Sequence, residues 1–228
     1  MIKNIAILQA YHERLDGLGE GYLTDYERIV SSIYNETMAF SCYDLPRMEF
    51  PESINQYFGF IITGSPDSVN NPPIYMENLV KLIVQCDKER KKIFGICFGH
   101  QIIASALGSI VGPMDVSWNL GLRKYDLYSD NVAGFHSEDW KGAHYAMHNE
   151  QILQLSSEFS LLGSVQNCKV SIVRKGDHIL STQMHPELNL AGFTDIVELD
   201  PHVPISHVSH EDVALQENLC TILSRFFI

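Results

Sequence analysis

The chain has 228 residues, 45% of them hydrophobic and 19% charged, with a formal net charge of −12. That length suffices for one domain with a large core, and the acidic balance argues against a nucleic-acid surface, which needs clustered Lys and Arg. Five widely spaced cysteines (Cys42, Cys86, Cys97, Cys168 and Cys220), with no Cys-x-x-Cys pair, suit reduced thiols in a cytoplasmic protein better than a disulfide framework or a zinc site.

The apolar run Ile5–Leu8 is too short for a signal-peptide core or a membrane span and reads as a buried first strand. Tyr26, Ile29, Val30 and Ile33 recur at helical spacing behind Thr24, a candidate N-cap, and predict a helix over 23–35. Residues 38–45 and 58–64 are strand-like, the second run ending in a glycine turn. An amphipathic helix follows over 74–92, its basic end complementing the helix dipole. Residues 93–96 form a fourth apolar strand, and 98–107 a helix closed by Gly108. Apolar strands alternating with helices predict an α/β fold, a mostly parallel open sheet with helices on both faces. Farther along, 121–129, 168–176 and 177–184 alternate or run β-branched around a Lys-Gly-Asp turn, predicting a mixed or antiparallel extension at one edge of the sheet. A final amphipathic helix is predicted over 210–228. With no repeat or linker, 1–228 is read as a single domain.

The corner Gly95-Ile96-Cys97-Phe98-Gly99 joins a predicted strand to a predicted helix. With Ser at its centre, this pattern is the nucleophile elbow. A turn that tight presses the flanking Cα atoms against the neighbouring strand and helix, and only a residue without Cβ avoids collision. The turn lifts Cys97 clear of the sheet and sets its sulfur at a helix N-terminus, where the dipole favours the thiolate. The Phe98 N–H then points to where an oxyanion would form. Hydrolysis by a thiolate needs a base, and the base needs an orienting group. His185 follows the strand over 177–184, at the kind of strand end where α/β sites assemble. Glu187 lies beyond Pro186; an extended dipeptide pinned by proline would put it on the same side as His185.

These two stretches, Gly95–Gly108 with its Cys97 elbow and Thr182–Leu188 with its His-Pro-Glu, resemble the class I (triad) glutamine amidotransferases, and the similarity extends over nearly the whole chain. The family signatures are a Gly-[Ile/Val]-Cys-x-Gly-x-Gln elbow and a terminal His-Pro-Glu; relatives include the amidotransferase domain of GMP synthase and stand-alone members similar to γ-glutamyl peptidases. The resemblance implies Cys97 as nucleophile, His185 as acid and base, and Glu187 as orienter. It implies Gln101 as a substrate contact. Gly64-Ser65-Pro66 stands where the family has Gly-Gly-Pro, so the resemblance assigns the oxyanion hole to Gly64 and to the N–H groups of Ser65 and Phe98. Residues 146–153 lie where relatives carry a segment like His-Gly-Asp; on that basis His148 and Glu150 are assigned to the substrate. Residues 117–122 resemble a loop near the glutamine pocket.

The implied reaction is hydrolysis of the glutamine side-chain amide through a γ-glutamyl thioester on Cys97. Ammonia would pass to an acceptor on a separate synthetase or ligase subunit. The alternatives are a γ-glutamyl peptidase or hydrolase using the same three residues, and a binding protein on the same scaffold. No cofactor is expected: the glycine-rich stretch 17–21 lacks a dinucleotide pattern, and no phosphate-loop motif occurs. His202, His207 and His210 have no standard zinc spacing. Glutamine or a γ-glutamyl compound is the expected partner, and neither nucleic acid nor membrane is.

Overall fold

The computed structural model describes residues 2–11, 38–132, 135–199 and 218–227. Its elements run β1 (Lys3–Gln9), β2 (Met38–Asp44), β3 (Gly59–Ile62), α1 (Met76–Lys88), β4 (Lys92–Ile96) and α2 (Phe98–Ala106). There follow β5 (Ile110–Pro113), β6 (Asn119–Lys124), β7 (Asp126–Leu127), β8 (Asn131–Val132), β9 (Phe135–His136) and β10 (Ala143–His148). The chain continues through β11 (Glu150–Gln154), β12 (Ser160–Val165), β13 (Cys168–Lys175), β14 (Ile179–Thr182), α3 (Leu190–Leu199) and α4 (Asn218–Phe227).

The eight-stranded main sheet has the order β2-β1-β3-β4-β14-β13-β12-β7. Its first five strands are parallel neighbours, and β13, β12 and β7 extend it antiparallel, as expected at one edge. Smaller antiparallel pairs, β6–β10, β5–β11 and β8–β9, lie outside that sheet. The central strands are apolar on both sides because helices cover both sides. Ala6, Leu8, Phe60, Ile62 and Ile93 pack with Leu79 and Ile83 of α1 and Ile103 of α2. On the opposite face Ile5, Ile7, Ile61, Phe94 and Leu180 pack with Leu219, Ile222, Leu223 and Phe226 of α4. Burying each of the Leu, Ile and Phe side chains contributes roughly 1.5–3 kcal/mol.

Several boundaries depart from the sequence reading. Helix α1 stops short of residue 92 because Arg90 turns left-handed at φ 54° and the Lys91 N–H bonds back to Cys86 O. Helix α2 does end as expected, with Gly108 at φ 91° and the Ser109 N–H closing onto Ala104 O. Helix α3 was not anticipated, although its cap was visible: the Asn189 side chain accepts from the Gly192 N–H at 2.6 Å. Of the helix expected over 210–228, residues 218–227 form α4 and the rest lie outside the described residues, as does the helix expected over 23–35.

Strands β1, β3, β4 and β14 are adjacent and parallel, so their C-terminal ends share one edge. The segments leaving that edge begin at Ala10, Thr63, Cys97 and Gln183. They carry the candidate site.

Candidate active site

Cys97 takes φ 49° and ψ −102°, a conformation L-residues rarely adopt. Backbone of this kind costs about 1–3 kcal/mol and is kept where the surroundings over-determine it. They do so here. The Cys97 N–H donates to Thr182 O at 2.9 Å and the Gly99 N–H to Thr63 O at 3.1 Å, pinning the turn to the segments after β3 and at the end of β14. A Cβ at Gly95 would sit 2.8 Å from the backbone of Gly99, and one at Gly99 would sit 2.3 Å from Ile62 O. Both glycines are therefore required by close packing, as the elbow pattern implies. Cys97 occupies the cap position of α2, and its side chain makes no capping hydrogen bond. The Phe98 N–H opens α2, where no intrahelical acceptor exists.

His185 is positioned by a bridge to β10: its N–H donates to Tyr145 O at 2.8 Å. Its Nδ1 lies 2.6 Å from Glu187 Oε1, with both side chains buried. The contact does not arise from an extended dipeptide. Pro186 and Glu187 form a turn closed by the Leu188 N–H onto His185 O, and proline suits the second position of such a turn. Burial by itself would make the imidazole a weaker base. The Glu187 carboxylate and the Cys97 sulfur overcome that penalty and raise the His185 pKa to about 10. His185 Nε2 is buried and makes no hydrogen bond of normal geometry among the described residues.

The segment after β3 packs against this pair. A Cβ on Gly64 would lie 3.0 Å from His185 Cε1 and 3.7 Å from Cys97 Cβ, so glycine lets the loop approach both. Ser65 avoids the left-handed region, and a glycine is not required at its position. Its hydroxyl donates to Ala10 O at 2.5 Å and accepts from the Asp67 N–H at 3.0 Å, tying the loop to the end of β1. Thr63 Oγ1 adds a second tie, accepting from the Ala10 N–H at 3.0 Å.

Gln101, His148 and Glu150 meet behind the elbow. The Glu150 carbonyl accepts from Gln101 Nε2 at 2.9 Å and from His148 Nδ1 at 3.0 Å. Asn119 Nδ2 donates to His148 Nε2 at 3.2 Å, so both ring nitrogens are engaged inside the fold. Burial, with smaller contributions from neighbouring positive groups, lowers the His148 pKa to about 3, which keeps the ring neutral. The Glu150 carboxylate accepts from Ser68 Oγ at 2.8 Å and Asn70 Nδ2 at 2.9 Å, holding the loop beyond Ser65. Within 117–122, Asn119 is the residue that touches this cluster, while Trp118 and Leu120 join an apolar group with Tyr145, Leu188 and Phe193. Gln183, which the sequence reading passed over, is fully buried and donates to Cys97 Sγ at 3.5 Å. Its position two residues before His185 was the one available signal.

The stretch 17–21 and His202, His207 and His210 lie outside the described residues. Among the described residues no group of three or more His, Cys, Asp or Glu could hold a metal ion. No helix among them is long and apolar enough to cross a membrane.

A family model, glutamine amidotransferase class-I, matches residues 24–198. The chain belongs to the class-I glutamine amidotransferase family. Its curated relatives include gamma-glutamyl peptidase 3 of Arabidopsis thaliana, 32% identical over 157 residues that cover 66% of this chain and 63% of that protein. They also include a glutamine-hydrolyzing GMP synthase of Cytophaga hutchinsonii, 25% identical over 178 residues, 72% of this chain and 31% of that protein. The crystal structure of a glutamine amidotransferase from Thermotoga maritima superimposes with a TM-score of 0.78 at 18% identity, covering 100% of this chain and 99% of that one. That likeness is one of fold.

Proposed function

We propose that this amidotransferase-family chain hydrolyses the amide at the γ-carbonyl of a glutamyl group, with a γ-glutamyl peptide or conjugate as substrate. The observation that carries the reading is the strained Cys97 elbow beside an imidazole whose far nitrogen is held 2.6 Å from a buried carboxylate. Nδ1–H donates to Glu187, which fixes the tautomer and turns Nε2 toward the sulfur. The Cys97 thiolate attacks the γ-carbonyl carbon, and the N–H groups of Ser65 and Phe98, behind Gly64, hold the oxyanion. His185 gives its Nε2 proton to the departing amine, the C–N bond breaks, and a γ-glutamyl thioester remains. His185 then takes a proton from water, whose oxygen attacks the thioester. The γ-glutamyl carboxylate leaves and the thiolate is restored. Gln101 borders the acyl site.

The preference for a γ-glutamyl peptide rests on the relative named gamma-glutamyl peptidase, which shares more identity with this chain than the GMP synthase does. The GMP synthase match favours a second reading, in which glutamine is cleaved and ammonia passes to a separate synthetase subunit. Glutamate release by the purified chain, measured on a γ-glutamyl dipeptide and on glutamine, separates the two. Turnover of the dipeptide that disappears in Cys97→Ala is expected. Turnover of glutamine alone would favour the ammonia-supplying reading, and turnover unaffected by Cys97→Ala would sink both.

A further inference from the structure

Gln183 is fully buried, and its carboxamide lies between Gln101 and Cys97. The orientation of that carboxamide follows from hydrogen-bonding chemistry alone. A backbone carbonyl only accepts, so the Gln101 atom 2.9 Å from Glu150 O is its NH2 group. The same NH2 group lies 3.2 Å from the Gln183 carboxamide and must face its oxygen. The other end of Gln183, its NH2 group, is then the end that lies 3.5 Å from Cys97 Sγ. Glu150 O thereby sets the direction of every link, and the nucleophilic sulfur faces a donor. His148 Nδ1–H reinforces the anchor by occupying the second lone pair of Glu150 O. Gln101 spends its nitrogen on these two contacts, so its Oε1 is the end left without a partner among the described residues.

We propose that Gln183 is a positioning residue for the nucleophile: oriented through Gln101 by Glu150 O, its N–H holds the Cys97 sulfur and favours thiolate over thiol. The proposal rests on Cys97 being the nucleophile. It goes beyond the Cys97, His185 and Glu187 assignment by placing a fourth side chain on the sulfur. A hydrogen bond to a charged acceptor is about twice as strong as a neutral one, so its removal weighs against the thiolate.

The test is iodoacetamide alkylation of Cys97 in the full chain, followed by mass spectrometry of the Cys97 peptide across a pH series. Gln183→Met keeps the shape and removes the donor; Gln183→Glu keeps the shape and puts an oxygen where the donor was. In both variants the alkylation midpoint is expected to move up, with the rate at neutral pH about tenfold lower. A midpoint equal to that of the parent in either folded variant would overturn the proposal. The parent chain supplies a check that needs no variant to fold. Its Gln183 side-chain amide resonance should titrate with the alkylation midpoint and shift on alkylation of Cys97, and a resonance that does neither overturns the proposal. Alkylation needs no substrate, so a failure here is distinguishable from a failure to find γ-glutamyl hydrolysis.

Discussion

At Glu187 a single carboxylate raises the basicity of a buried imidazole that desolvation would otherwise lower. Glu187→Gln keeps an oxygen for the Nδ1–H and removes the charge. The imidazolium should then lose its proton at lower pH. We expect the alkaline limb of the pH–rate profile to move down in that variant, with kcat reduced about a hundredfold or more. An unmoved limb would detach Glu187 from His185 in catalysis. Ser65 makes a different kind of prediction. Its hydroxyl, and not its backbone freedom, fixes the loop to Ala10. Ser65→Ala should therefore cost about 1–2 kcal/mol in urea unfolding and lower kcat, and Ser65→Gly should restore neither.

Between elements, the tightest constraint is where α2 meets β3. The atom a Gly99 Cβ would strike is Ile62 O, part of the backbone of a central strand, so the strain has no flexible side chain to absorb it. Gly99→Ala should destabilise the chain by roughly 1–3 kcal/mol and slow alkylation of Cys97, because relief requires α2 to move off β3. Measured stability equal to the parent would mean the elbow is looser than the contacts indicate. On the opposite face, Arg225 of α4 bonds the buried Asp139 carboxylate at 2.6 Å. The Arg225 side chain is itself partly exposed, so water screens the pair, and Arg225→Ala is expected to cost about 1 kcal/mol, read as a fall in the urea midpoint.

For the whole molecule the charge state of the buried histidines sets the pH range of stability. Burial lowers His100 and His144 to about 4 and His148 to about 3. In the unfolded chain each protonates near 6.5. Between these values the unfolded state binds more protons, so the stabilisation is complete above about 6.5 and declines as pH falls toward 4. Each group contributes about 1 kcal/mol per pH unit over that window. His185 acts in the opposite direction. Its contribution is complete below about 6.5 and is lost as pH rises through about 10. Thermal melts across pH should therefore peak near neutrality and fall on both sides. Unchanged melting between neutral and mildly acidic pH would show that these three rings are not held neutral by the fold.

The sequence by itself determined the strands that line the site, the elbow, and the family. Those signals are local: apolar runs mark the strands, and glycines mark where a Cβ has no room. The pair His185 and Glu187 was legible too, although the turn through Pro186 that joins them was not. What only the tertiary structure decided is which distant polar groups meet. Gln183 reaches Cys97 because β14 pairs with β4, and Gln101 reaches Glu150 because β11 crosses behind α2. Sequence spacing carries no trace of a hydrogen bond between residues that far apart in the chain. Ser65 in place of glycine is explained by Ala10, a residue beyond another strand. The neutrality of His148 likewise depends on burial and on the Asn119 donor that faces its Nε2, both set by the order of strands.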